Sequence, residues 1–429
     1  MFSFARSFLA ALLLLSPALV GNAQADQPMV QLSLTGGAGY LGQSQSYYYD
    51  SFDGTMSAQA SRAGASGLPR YVSVSFLGLD LGTFADAVFG TDQLGVDLLP
   101  GSYPNAQRAP FASAGYAGLD VDLNGRGCNT VTGSFNVLDA TYVGTTIQRF
   151  DATFVENCDG TQNALTGRVR INEPSALLSA VLPGSRSVQL GTRPTVFATM
   201  INTSSAALSN CRIRLPGALT TGVGLSFQAT DPSTNLPVAP PNQPVILAAN
   251  GSQSFVITMN GSTAQSKTAL PIDFVCDGTM PAPVLPGVNT LDIDFASSAV
   301  PDVIALSATV TGDGTVAVPF SQNGTGAFAV ATANVGTAAN LIVSADTGSA
   351  GLPVSLTLCE TNPVTAQCLA PPAGSIVHSF AAGETPTFSI FAKATGQIPF
   401  APATSRIFVR FLDNTSQSHG STSVAVKTN

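Results

Sequence analysis

Six cysteines fall along this chain as three neighbouring pairs, Cys128 with Cys158, Cys211 with Cys276 and Cys359 with Cys368. Each pair lies inside its own stretch of alternating apolar and polar residues. Alternation with a period of two marks half-buried strands, and paired cysteines persist as disulfides in oxidising compartments. The chain is therefore expected to be all-β, with three consecutive β-sandwich domains, each pinned by a local disulfide. Spacing alone leaves the connectivity open, because six cysteines allow fifteen pairings.

The N-terminus points to the same compartment. Arg6 precedes an apolar run from Phe8 to Val20, and Ala23-Gln24-Ala25 predicts cleavage before Asp26. Residues 1–25 are read as a signal peptide, too short to anchor the chain, and no later segment approaches ~18 consecutive apolar residues. Secretion to the extracellular space or the periplasm is expected, with no membrane span. Charged residues make up only 10% of the chain, against about 25% in ordinary domains, while small and β-branched residues dominate. That composition suits sandwiches. The net charge is −8, and Lys267 is the only cation between Arg214 and Lys393. Nucleic acid, which needs clustered Lys and Arg, is excluded as a partner, and anionic lipid for the same reason.

Residues 26–173 form the first expected domain, a β-sandwich or jelly roll. Val72, Val74 and Phe76 share one strand face, as do Phe150, Ala152 and Phe154, while Arg149, Asp151 and Thr153 face water. In Leu165 to Ile171 the inward residues are Val169 and Ile171, with Arg168 and Arg170 outward. Glu173-Pro174-Ser175 and Val300-Pro301-Asp302 mark boundaries, since proline breaks strand pairing. The segments 174–299 and 300–429 look like tandem copies. Leu247-Ala248-Ala249, five residues, then Phe255-Val256-Ile257 matches Phe380-Ala381-Ala382, five residues, then Phe388-Ser389-Ile390. Asn202 lies 45 residues before Leu247 and Asn334 lies 46 before Phe380; Phe274 and Phe408 follow the repeated Phe by 19 and 20. Tandem immunoglobulin-like sandwiches are expected, without the antibody signature: the chain has no Trp, and Phe274 stands two before Cys276, where antibody-type domains place Tyr.

Gly101-Ser102-Tyr103, Arg108-Ala109-Pro110-Phe111, Gly125-Arg126-Gly127-Cys128-Asn129, Thr132-Gly133-Ser134-Phe135, Phe150-Asp151-Ala152-Thr153-Phe154, Cys158-Asp159-Gly160 and Leu165-Thr166-Gly167-Arg168-Val169 follow one another over residues 101–172. This pattern resembles a domain that recurs in secreted bacterial proteins of unassigned role, and its spacing supports pairing Cys128 with Cys158. The two later segments are similar, more loosely, to immunoglobulin-like modules of bacterial surface proteins. The resemblance implies location and fold class and carries no catalytic residues.

Motifs that could carry chemistry each have a plainer reading. Gly37-Ala38-Gly39-Tyr40-Leu41-Gly42 fits a dinucleotide fingerprint, but the polar, Tyr-rich stretch after it lacks the helix that would hold a pyrophosphate. Asp346-Thr347-Gly348-Ser349 resembles half of an aspartic-protease site, yet no second such triplet exists to share the proton. There are two histidines, His378 and His419, and neither G-x-S-x-G nor H-E-x-x-H occurs. Asp120, Asp122 and Asn124 alternate like calcium-loop ligands, but Val131 stands where the closing Glu belongs, and Asn124-Gly125 is also a hairpin turn. Ca2+ is the one cofactor this pattern allows; otherwise none is expected.

All eight tyrosines lie between Tyr40 and Tyr142. Tyr47, Tyr48 and Tyr49 are consecutive, with Asp50 and Asp53 following, and tyrosine is enriched at recognition surfaces. Because consecutive strand residues face alternately, at least one of the three is expected to be exposed as a ligand platform. The chain thus reads as a secreted, non-catalytic surface protein with a binding or adhesion-like structural role, whose partner is an extracellular protein or glycan. The alternatives are a carbohydrate-binding protein, calcium-dependent through Asp120–Asn124, and a secreted hydrolase with an unrecognised site.

Overall fold

The computed structural model describes residues 29–80, 82–217, 222–320 and 324–429; the expected signal peptide, residues 1–25, lies outside them. The described chain is all-β. Three hydrophobic cores, spanning residues 30–171, 177–295 and 303–426, divide it into sandwich domains.

The first domain contains β1 (Val30–Gly36), β2 (Ser46–Asp50), β3 (Gly54–Ser61), β4 (Tyr71–Gly78), β5 (Phe84–Gly90), β6 (Gly101–Arg108), β7 (Gly118–Leu123), β8 (Val131–Val143), β9 (Thr146–Cys158) and β10 (Leu165–Ile171). They form one ten-stranded sheet in the order β2-β1-β10-β9-β8-β6-β7-β5-β4-β3. Four strand spacings separate β5 from β9, about 19 Å in a flat sheet. Yet the rings of Phe89 on β5 and Phe154 on β9 lie 5.9 Å apart. Tyr49 on the β2 edge likewise stacks on Phe76, one strand from the opposite edge, at 4.3 Å. The sandwich of this domain is therefore a single sheet folded over on itself. The inward residues of the alternating runs, Val72, Val74, Phe76, Phe150, Ala152 and Phe154, fill its core.

The second domain contains β11 (Leu177–Leu182), β12 (Ser185–Gln189), β13 (Thr195–Asn202), β14 (Leu208–Arg214), β15 (Val223–Thr230), β16 (Val245–Leu247), β17 (Ser252–Gly261), β18 (Gln265–Pro271), β19 (Asp273–Asp277) and β20 (Thr290–Ala296). The third contains β21 (Val303–Thr309), β22 (Thr315–Val318), β23 (Gly326–Asn334), β24 (Ala339–Asp346), β25 (Val354–Thr361), β26 (Ser375–Phe380), β27 (Thr387–Ala394), β28 (Arg406–Leu412) and β29 (Ser418–Thr428). One sheet runs β11-β13-β17-β15 in the second domain and β21-β23-β27-β25 in the third. The facing sheet of the third runs β22-β29-β28-β24-β26. In the second domain the same layer is split into β12-β20-β18 and β16-β14-β19, because Ile272 interrupts what is a single strand, β28, in its counterpart. In both domains the closing pair, β12 with β20 and β22 with β29, is parallel.

Asn202 and Asn334, the paired landmarks of the sequence, end β13 and β23 and are wholly buried. Asn202 Nδ2 donates to the carbonyls of Ala206 and Ala248 at 2.7 and 2.9 Å; Asn334 Nδ2 donates to those of Thr337 and Ala381 at 2.8 and 3.1 Å. Each thereby ties a strand end to the Leu-Ala-Ala or Phe-Ala-Ala turn, supplying partners that buried carbonyls require.

Three disulfides are present, Cys128–Cys158, Cys211–Cys276 and Cys359–Cys368. Cys211–Cys276 joins β14 and β19, neighbours within one sheet and beside a register shift. It does not bridge the two layers as the antibody disulfide does. No helix among the described residues is long and apolar enough to cross a membrane.

Candidate ligand-binding site

The tyrosine run lies on β2, and its side chains alternate as strand geometry demands. Tyr49 faces the core and Tyr47 packs beside it, their rings 6.3 Å apart. Tyr48 points the other way, but not into solvent. The second domain covers it: the guanidinium groups of Arg212 and Arg214 lie 4.8 and 5.3 Å from its ring centre. Its hydroxyl accepts from Gln31 Nε2 at 2.8 Å, and the same amide donates to the Thr279 carbonyl of the second domain at 2.8 Å. Burial pushes the Tyr48 phenol far above its ordinary range.

Asp50 and Asp53 belong to the same seam. Arg214 at the end of β14 reaches three carboxylates at once: Asp273 through Nε at 2.5 Å, Asp53 through Nη1 and Asp50 through Nη2, both at 2.6 Å. Asp50 and Asp273 are buried. Three carboxylates around one guanidinium leave an excess of negative charge, so burial and the charge of Asp50 push Asp273 up to about 7, and burial raises Asp50 as well. The expected exposed platform is thus corrected: Tyr48, Tyr49 and Asp50 are committed to core and seam. What remains open is a shallow groove of about 280 Å³ beside them, lined by Tyr48, Tyr49, Asp53, Phe76, Leu79 and Asp80.

The calcium reading is corrected too. Asp120 and Asp122 sit on the outward face of β7, opposite the buried Leu119, Val121 and Leu123. Arg108 pairs with Asp120 at 3.4 Å. Asn124 turns away, with φ of 49°, and its Oδ1 accepts from the Phe84 amide at 2.9 Å. It is the hairpin residue of an Asn-Gly turn, where a short polar side chain satisfies the backbone. Among the described residues no group of three or more carboxylates, histidines or cysteines is placed to hold a metal ion. Asp346 likewise closes its own turn, accepting from the Gly348 amide at 2.7 Å and pairing with Arg410 at 2.8 Å. His378 lies between Glu360 and Glu384, and His419 contacts Asp413 at 3.3 Å. Neither ring has a serine, threonine or cysteine within hydrogen-bond reach among the described residues.

The enclosed cleft lies elsewhere, at the seam of the second and third domains. Its volume of about 330 Å³ falls at the lower end of ligand sites, which favour domain interfaces. β28 builds its floor. Ile407, Val409 and Phe411 enter the core, which turns Arg406, Phe408 and Arg410 outward to the cleft. Phe408 packs between glycines of both domains. A Cβ on Gly287 would stand 2.3 Å from its ring, and one on Gly348 would stand 3.0 Å away; both glycines also have positive φ. Only glycine permits that approach. Arg410 lies 4.9 Å over the Phe408 ring and is neutralised by Asp346, with Asp292 at 3.9 Å.

Arg406 differs. Its Nε and Nη2 donate to Ser423 Oγ at 3.1 and 2.8 Å, and its Nη1 to the Pro402 carbonyl at 2.8 Å. Ser423 spends its own proton on the Gly287 carbonyl at 2.7 Å. No carboxylate among the described residues pairs with Arg406, and burial lowers its guanidinium to about 10. Sequence reasoning missed this residue, although the outward triplet Arg406-x-Phe408-x-Arg410 is an unusual face in a chain so poor in cations.

No family model and no curated protein matches the chain. A solved structure of a protein of unknown function from Porphyromonas gingivalis W83 is similar over 59% of this chain and 99% of that one. The identity is 11% and the TM-score 0.20.

Proposed function

We propose that the protein is an exported, non-catalytic binding protein. Its second and third domains are immunoglobulin-like copies that hold a small ligand in the cleft between them. The observation that carries this reading is the cleft itself, enclosed by both domains and floored by an outward aromatic ring flanked by two arginines. The three disulfides support an oxidising compartment, extracellular or periplasmic. Recognition then belongs to the later domains, and the first domain's tyrosine face serves to hold the second.

A screen of small molecules by ligand-observed NMR on the full chain tests this, with Ala403→Trp as the blocked control, since Ala403 lines the cleft. Hits that vanish in Ala403→Trp are expected. Hits that survive the substitution would overturn the reading. A second reading, carbohydrate binding, is favoured by the open groove beside Tyr48 and Tyr49. Oligosaccharide binding lost in Leu79→Ala, whose side chain lines that groove and is exposed, and indifferent to Ala403→Trp, would establish it instead.

A further inference from the structure

We propose that the cleft between the second and third domains selects a monoanion, a carboxylate on a compact apolar body, through Arg406. The inference rests on the cleft being a ligand site and adds the chemical class of the ligand.

A guanidinium carries five N–H donors in a planar fork. Arg406 commits three of them, to Ser423 and to the Pro402 carbonyl, which leaves one on each Nη unspent. A partly buried cation with no counter-ion and free donors is costly unless something pairs with it. A carboxylate answers both requirements, because its two oxygens match the fork. The rest of the cleft sets the charge. Arg410 is already balanced by Asp346 at 2.8 Å, and the Asp292 carboxylate lines the wall. Together the two carboxylates offset the two arginines, but both lie on Arg410, at 2.8 and 3.9 Å. Arg406 therefore has no acidic partner of its own among the described residues, and a dianion such as phosphate would meet Asp292 with its second charge. The body of the ligand is set by the neighbours of Arg406: Phe408, Pro286, Ala269, Ala350 and Ala403 offer apolar surface. A closed cavity of about 150 Å³ accepts benzene, so a cleft of about 330 Å³ accommodates a ring with a short acidic arm.

The test uses the full chain and two matched probes, phenylacetate and its neutral isostere phenylacetamide, with inorganic phosphate as a third arm. Binding is read by titration calorimetry and by the shift in melting temperature. Phenylacetate is expected to bind at least tenfold tighter than the amide and to outbind phosphate. Arg406→Met is expected to abolish the acid-over-amide preference, and Arg406→Lys to keep part of it. Should Arg406→Met not fold, Arg406→Lys and Ala403→Trp carry the comparison. Acid and amide binding equally, both lost in Ala403→Trp, would remove the anion assignment while leaving the cleft as a site. Phosphate binding more tightly than phenylacetate would overturn the monoanion. No response to any probe, with Ala403→Trp indistinguishable from the parent, would remove both readings.

Discussion

Arg214 shows how much one side chain does in a chain with so few charges. It binds two carboxylates of the first domain and one of its own. Removing it strands three acidic groups, two of them buried. Arg214→Met is expected to cost about 3–5 kcal/mol, the range for breaking a buried ion pair, measured by denaturant unfolding at pH 7. Asp273 gives the cluster a pH dependence of definite sign. Its carboxyl titrates near 7 when folded, against 3.8 unperturbed, so the folded chain holds a proton that the unfolded chain has released. Stability should therefore fall as pH rises through that window. Asp273→Asn should flatten the melting temperature between about pH 4 and pH 7; a slope unchanged in the variant would refute the assignment. Glu156 adds a term of the same sign. It faces the core of the first domain, where burial raises its carboxyl well above 4.5, and its Oε2 has no partner. Glu156→Gln is expected to raise the melting temperature at pH 8 and to change little at pH 4.

At the scale of strands, alternation made most of the fold legible. The inward residues of β4, β9 and β10 follow from period two alone, because a core face must be apolar. The outward faces were not legible. Arg170 and Gln31 alternate as water-facing residues should, yet both are buried, and Arg170 Nη1 donates to Gln31 Oε1 at 2.5 Å beneath the second domain. A strand's pattern reports which face meets its own core and says nothing about what covers the other. For the same reason the expectation of one exposed tyrosine among Tyr47, Tyr48 and Tyr49 fails at Tyr48, whose outward face the second domain covers. The disulfides were legible as neighbouring pairs, whereas the cleft was not, since its lining comes from segments more than two hundred residues apart. The near-equal spacing of the two buried asparagines from the small-residue turns has a physical basis, because each side chain donates to a carbonyl of its turn. Asn202→Ala and Asn334→Ala should each cost about 2–3 kcal/mol by leaving buried carbonyls unpaired. Calorimetry should show each loss as a lowered midpoint of the coupled transition.

At the scale of the whole molecule, both seams are held by buried ion pairs. Arg186 in the second domain grips Asp302 of the third through Nε and Nη2 at 3.0 and 2.8 Å, and Asp302 also accepts from the Ser187 amide at 3.0 Å. Asp302→Ala should uncouple the third domain, visible as a separate calorimetric transition at lower temperature. A single unsplit transition would show that hydroxyl contacts such as the Ser421 amide to Ser185 Oγ, at 2.6 Å, suffice alone.

In every domain an early strand pairs with the last one: β1 with β10, β12 with β20, β22 with β29. A chain delivered N-terminus first must therefore hold each domain open until its whole length has emerged. Maturation would then proceed in three discrete steps, with the cleft appearing only at the third. A chain stopped after Leu412 should keep two protease-resistant domains and lose the third entirely.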